Sequence, residues 1–169
     1  KIVQYWDLKE QVIDRSAADV SSTADDVANT VELSVKRHMV ADVPVSCFLS
    51  GGLDSSLISV LAKKSNEHLS TYTIGTEDKD KSVEKMPDDE RYAAMLAQQF
   101  GFNHHVITIS PDIIKDLPFM VRHLDEPIGD PAAINTYLIC KAAREKGVKV
   151  LLSGMGADEI FFGYRRQKA

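Results

Sequence analysis

An open, doubly wound α/β sheet, with parallel strands and helices on both faces, is the fold class this sequence predicts, and three observations predict it. First, apolar runs of strand length alternate with stretches that repeat at helical spacing between residues 43 and 152. Second, two of those runs, 43–49 and 148–152, break directly into glycine-rich turns that open the next helix. Third, 169 residues with 44% hydrophobic and 27% charged side chains suit one domain with a sizeable core.

Taken in order, residues 1–22 hold Tyr5-Trp6-Asp7 and a polar stretch with little periodicity, and read as a connector ahead of a domain spanning 23–169. Thr23 with Asp26 has the form of a capping box, and Val27, Val31, Val35 and Met39 recur every fourth residue, which predicts a helix over about 24–40. Residues 43–49 form a strand that turns at Ser50-Gly51-Gly52-Leu53-Asp54-Ser55-Ser56. The helix beyond carries Leu57, Ile58, Leu61 and Ala62 on one face. A second strand at 69–75 ends in glycine, and 77–88, dense in both charges and containing Pro87, reads as a mobile loop. Its Lys79, Lys81 and Lys85 are better explained by solvent than by substrate.

Tyr92, Leu96 and Phe100 followed by Gly101 describe a helix with its C-terminal glycine. A third strand at 103–109 contains His104-His105; neighbours on a strand face opposite ways, so the pair does not ligate one ion. Ser110-Pro111 opens a helix reaching about His123. Asp130, as N-cap with Pro131 at the first helical position, opens another, with Ile134, Leu138 and Ala142 on one face. Gly147 ends it, the strand 148–152 follows, and Ser153-Gly154-Met155-Gly156-Ala157-Asp158-Glu159 is the second glycine turn.

Composition narrows the function. A net charge of −5 provides no basic footprint for nucleic acid, and no apolar run approaches the roughly 20 residues that span a membrane. Cys47 and Cys140 lack CxxC spacing and read as two small buried side chains in the reducing cytoplasm. The chain starts at Lys1 without a signal segment and stops soon after its second glycine turn, so it is expected to be part of a longer protein.

The first glycine turn has the form of an anion cradle: residues without a Cβ let backbone N–H groups at a helix start approach a phosphate. The first turn has no lysine, which excludes a Walker A loop. It offers Asp54 for a divalent cation and the hydroxyls of Ser50, Ser55 and Ser56 for phosphate oxygens. If the first and fourth strands are neighbours, Asp54 and Asp158 share a cleft, and two facing carboxylates call for Mg²⁺ between them.

Ser-Gly-Gly-Leu-Asp-Ser-Ser resembles the pyrophosphate loop of the N-type ATP pyrophosphatases. With Leu-Asp-Glu-Pro, Asp-Pro, Leu-Ser-Gly-x-Gly-x-Asp-Glu and Phe-x-Gly-Tyr in this order, nearly the whole chain resembles the synthetase domain of the asparagine synthase family. The resemblance implies an adenine nucleotide alpha hydrolase-like, Rossmann-like fold. It also implies ATP-dependent amidation of a carboxylate through an acyl-adenylate, β-aspartyl-AMP for aspartate, with release of AMP and pyrophosphate. Ammonia would come from a glutaminase domain outside this chain, and the family leaves room for a homodimer in the full-length protein. Carried over by residue, Leu49 and Ile74 would bind adenosine, Ser50, Gly51, Gly52, Asp54, Ser55 and Ser56 pyrophosphate, and Ser153 and Gly154 the AMP portion. Asp54 and Asp158 would hold Mg²⁺, and Asp158 and Glu159 are the catalytic candidates, Glu159 the weaker. The family's catalytic lysine and glutaminase cysteine fall outside these residues, so residues 1–169 are expected to bind nucleotide without completing turnover.

Two positions depart from the family's pattern: Met155 stands where an acidic residue is usual, and Phe162 where glycine is usual. They open a second reading, the same adenylating chemistry on another acceptor such as a sugar acid or a carboxylate that closes a β-lactam. A nucleotide-binding module without catalysis is a third, and the intact Asp54 and Asp158 speak against it.

Overall fold

The computed structural model describes residues 2–5, 7, 20–76, 89–109, 114–130 and 132–164. The chain falls into two units, Lys1–Ser34 and Val35–Ala169. Trp6, the charged stretch 77–88 with its three lysines, Ser110-Pro111 and Pro131 lie outside the described residues.

The first unit holds most of helix α1 (Val20–His38), whose last turn carries Lys36, Arg37 and His38, a charge that suits the negative end of a helix. The helix begins ahead of the expected start, so Thr23 and Asp26 lie inside it and do not form a capping box at its end. The spacing was ambiguous for a physical reason: residues three apart are also neighbours on a helix face. Within α1 the Thr30 hydroxyl donates to the Asp26 carbonyl at 2.7 Å.

The second unit is built on four parallel strands: β1 (Val45–Phe48), β2 (Ser70–Thr76), β3 (Asn103–Ile109) and β4 (Val150–Leu152). Their order is β3-β2-β1-β4. Cys47 stands opposite Thr71, Val45 opposite Val150, and β2 pairs with β3 from Ser70↔Asn103 to Thr76↔Ile109. The chain therefore steps outward from β1 to β3 and returns past both to β4. The switch point of this doubly wound sheet lies between β1 and β4, where such folds hold their ligands.

Helices α2 (Leu53–Lys63) and α3 (Asp89–Phe100) make the outward crossovers, and α4 (Leu117–Leu124) and α5 (Ala132–Glu145) the return. Right-handed crossovers in opposite directions put the two sets on opposite faces. On the α5 face, Tyr72, Ile139, Ala143 and Val148 form a buried cluster with Phe48, Ile74, Ile107 and Leu151 packed against it. The short helix α6 (Ala157–Phe161) follows β4. Among the described residues no helix is long and apolar enough to cross a membrane.

The expected strands and helices from 43 to 152 are found among the described residues, but the helix expected from Ser110-Pro111 begins only at Leu117, with Pro118 in its first turn, and other differences lie at the ends and in the helix faces. Leu49 leaves the strand but still donates its N–H to the Tyr72 carbonyl at 2.8 Å, and the fourth strand shortens to three residues. On α2 the deeply buried side chains are Ser55, Ser59 and Ala62, while Leu57 is exposed. On α3 they are Ala93 and Ala97, one position after Tyr92 and Leu96; on α5 they are Ile134, Ile139 and Ala143. A four-residue step overshoots a helical turn by about 40°, so a stripe read at fixed four-residue spacing drifts off the buried face. Cys140 is exposed, contrary to expectation, because it follows Ile139 and turns away from the sheet.

The histidine pair behaves as strand alternation requires. His104 Nδ1 meets Thr71 Oγ1 at 2.9 Å on one face, and the His105 ring lies 4.9 Å from the Tyr72 ring on the other. Burial lowers the His104 pKa, the His105 charge lowers it further, and Glu90 partly opposes them.

Candidate functional site

The first glycine turn begins where β1 ends. Gly51 has φ +77, and a Cβ there would lie 2.6 Å from Tyr92 Cβ and 2.9 Å from both Ala93 N and Asp89 O. Its missing side chain thus lets the turn sit directly on the first turn of α3. Gly52, at φ −71 and ψ 160, is in a conformation open to any residue. A Cβ on it would approach only Ser50 Oγ, at 3.3 Å.

Hydroxyls hold the turn in shape. Ser55 is buried; its Oγ accepts from Ser50 N at 3.1 Å, lies 2.9 Å from Ser50 Oγ, and donates to the Gly52 carbonyl at 3.2 Å. Ser56 Oγ donates to the same carbonyl at 2.6 Å. Ser55 has a single proton to donate. When it goes to Ser50 Oγ, the Ser50 proton is released toward a ligand. Gly52 is the N-cap of α2, and the N–H groups of the first helical turn have no carbonyl behind them. These donors and the helix dipole have the form of an anion cradle.

The second turn lies against the first. A Cβ on Gly154 would fall 2.8 Å from Ser55 N and 2.9 Å from the Asp54 carbonyl carbon and Cβ, so the two backbones touch at this residue. The Met155 N–H donates to Ser153 Oγ at 3.1 Å. Gly156, at φ 97, turns the chain into α6, which carries Asp158. A side chain on Gly163 would collide with the Asp158 carboxylate, so this glycine leaves the carboxylate its room.

Between the turns is a cleft of about 320 Å³. Ser50, Gly52, Asp54 and Ser55 line one side and Ser153, Gly154, Met155 and Asp158 another. Phe48 closes the β1 end, and α5 forms a wall of Ala132, Asn135, Thr136 and Ile139. Seven of the candidate binding and catalytic residues, Ser50, Gly52, Asp54, Ser55, Ser153, Gly154 and Asp158, thus converge on one cleft, with Met155 beside them. The others stand elsewhere: Gly51 against α3, Ser56 bonded back to Gly52, and Leu49 with its side chain buried. Glu159 is exposed and accepts a hydrogen bond from the Tyr164 hydroxyl. Asp125 and Glu126 do not line the cleft, and Asp130 caps α5, accepting from Ala132 N at 2.9 Å.

Ile74 does not line the cleft; its side chain packs against the core cluster and only its backbone edge is open. Tyr72 turns its carbonyl toward β1, and strand alternation turns the Ile74 N–H and C=O the same way, beyond the point where β1 has ended. The α5 wall carries no signal in the sequence pattern. Ala132, Asn135, Thr136 and Ile139 follow the one-face spacing of a helix, but they mix polar and apolar side chains, so hydrophobic patterning passes over them.

Asp54 and Asp158 are the two carboxylates that line the cleft. Among the described residues no group of three or more His, Cys, Asp or Glu forms a metal cage. Mg²⁺ keeps waters and takes phosphate oxygens with one or two carboxylates, which is the donor set that Asp54 and Asp158 offer beside an anion cradle.

The family model for asparagine synthase matches residues 26–169. A putative glutamine-hydrolysing asparagine synthetase of Mycobacterium bovis is 42% identical over 141 residues, covering 83% of this chain and 21% of that protein. Asparagine synthetase 1 of Bacillus subtilis is 41% identical over 140 residues, covering 82% of this chain and 21% of its own length. Asparagine synthetase B of Escherichia coli is 32% identical over 168 residues, covering 86% and 29%. The chain therefore spans less than a third of the length of these relatives. Among solved structures, the NH3-dependent NAD synthetase of Campylobacter jejuni aligns with a TM-score of 0.49 and 16% identity, over 86% of this chain and 61% of that one.

Proposed function

The chain belongs to the asparagine synthase family, and from that premise we propose that it is the adenylating part of a ligase that converts a carboxylate to an amide, with aspartate to asparagine as the leading reaction. The observation that carries this reading is the contact at Gly154, which sets the second glycine turn on the Asp54–Ser55 backbone of the first. One turn built for phosphate and a second bearing a carboxylate then act on a single nucleotide.

In this reading the open edge of β2 at Ile74, beside Leu49, meets the adenine, and Phe48 and Ile139 give it apolar surface. The N–H groups of the first turn and the Ser50 hydroxyl hold the β and γ phosphates. Ser153 and Gly154 lie beside the α phosphate. Asp54 and Asp158 would hold Mg²⁺, which would offset the negative charge of the phosphates. An oxygen of the acceptor carboxylate attacks the α phosphorus, the bond to the bridging oxygen breaks, and pyrophosphate leaves into the first turn. Ammonia then attacks the acyl carbon, the bond from that carbon to the oxygen bridging it to phosphorus breaks, AMP departs carrying that former carboxylate oxygen, and the nitrogen loses its extra proton to solvent. The ammonia comes from a glutaminase part of the whole protein.

Met155 favours a second reading of the acceptor. It lines the cleft with 79% of its surface exposed, and a thioether there forms no ion pair with the ammonium group of an amino acid. A carboxylate with a less charged flank, such as a sugar acid, fits that wall better.

The test is MgATP affinity in the intact protein. Asp54→Asn removes a metal ligand at constant shape, and Gly154→Ala drives a Cβ into Ser55 N, so each is expected to weaken binding by roughly tenfold or more, about 1.4 kcal/mol. Urea denaturation of the same variants separates loss of the site from loss of the fold. Unchanged affinity in both would overturn the assignment.

A further inference from the structure

The α5 wall of the cleft carries a polar side chain that the reaction above does not use. Asn135 is half-buried on the cleft face of α5, between Ala132 and Ile139. Thr136 beside it spends its proton on the Ala132 carbonyl at 2.9 Å. Among the described residues none bonds the Asn135 amide, which brings two N–H donors and a carbonyl acceptor to the wall. An unbonded amide in the wall of a ligand cleft is the kind of group that fixes ligand orientation.

Its height in the cleft says which part of the ligand it meets. Helix α5 leads back to the start of β4, so it runs opposite to the strands, with its N-terminal end at the level of the glycine turns. Ile139 stands with Phe48 at the apolar end. Asn135 is four residues earlier, about 6 Å nearer the turns. Adenine at the apolar end and phosphates in the first turn leave one nucleotide moiety at the intermediate level, the ribose. The phosphate oxygens, which only accept, already have the backbone donors of the turn, and the adenine edge has the Ile74 backbone. A vicinal diol both donates and accepts, as a planar amide does.

We propose that Asn135 hydrogen-bonds the ribose hydroxyls of the bound nucleotide and so selects ribonucleotides over deoxyribonucleotides. This rests on the ATP reading of the cleft and deepens it. The side chain binds and orients; it takes no part in bond making.

The experiment is calorimetric titration of the intact protein with the Mg²⁺ complexes of ATP, 2′-deoxy-ATP and 3′-deoxy-ATP. Asn135→Ala and Asn135→Leu, the latter close in volume without hydrogen-bonding atoms, are titrated alongside. The unmutated protein is expected to bind at least one deoxynucleotide about five- to tenfold more weakly than ATP. In both variants ATP affinity falls to that of the deoxynucleotide, so the ratio drops to about one. Because the ratio is read within each protein, a general loosening of the cleft, which weakens all three ligands together, leaves it unmoved. An unchanged ratio in a folded variant overturns the proposal, as does a ratio of one in the unmutated protein. Failure of the unmutated protein to bind MgATP at all contradicts the nucleotide reading itself.

Discussion

Gly51 and Gly52 are adjacent, yet the structure gives them separate tasks. A Cβ on Gly51 meets α3 backbone at 2.9 Å and must adopt φ +77, so Gly51→Ala is expected to cost about 2 kcal/mol of stability, measured by urea denaturation. Gly52→Ala meets only a serine hydroxyl at 3.3 Å. It should leave stability within about 0.5 kcal/mol and instead weaken MgATP roughly tenfold. Equal stability losses in the two would show that both glycines merely shape the turn. Phe162 is the reverse case, a bulky residue at φ 59 and ψ 51 where the left-handed conformation favours glycine. Phe162→Gly should stabilise the protein by about 1 kcal/mol, and a loss of stability would mean that the exposed ring contributes packing that outweighs the backbone strain.

At the scale of elements, the β2–β3 pair carries a pH dependence. Burial holds the His104 pKa below its ordinary 6.5, so the unfolded chain binds a proton that the folded chain refuses. Its contribution is therefore full above pH 6.5 and is lost as pH falls through that value toward the folded pKa. Denaturation midpoints should decline below pH 6.5, and His104→Gln should flatten that decline; an unaltered slope would assign it to other groups. The strand β1 and helix α5 differ in another way. Burial pushes the Cys47 thiol up to about 11, while Cys140 is exposed. Iodoacetamide at neutral pH should label Cys140 in the folded protein and Cys47 only once denaturant opens the sheet, as mass spectrometry of the peptides would reveal. Labelling of both at similar rates would contradict the burial of β1.

For the whole molecule, much of the architecture was legible because its signals are local. β3 was read to the residue, since its alternation is bounded by Gly101 upstream and Ser110-Pro111 downstream. The two glycine turns announced themselves by composition, whereas the neighbouring of β1 and β4 stood in the sequence only as a condition for a shared cleft and is supplied by the structure. The helix faces were not legible, because Ala93, Ala97, Ser55 and Ser59 are buried by close approach to the sheet and carry little hydrophobic signal of their own. The same blindness hid Asn135, whose importance depends on which helix covers the switch point. What the sequence held without any structure is a first turn lacking the lysine of a Walker A loop, together with a resemblance to the N-type ATP pyrophosphatases, and it is the resemblance that implies that the bond broken lies between the α and β phosphates. That expectation is tested most directly by supplying the intact protein with Mg²⁺, an acceptor carboxylate, ammonia and ATP labelled at the α phosphate, and identifying the products. The label should appear in AMP, with one pyrophosphate released for each AMP formed; label in ADP, with orthophosphate released, would contradict the central claim.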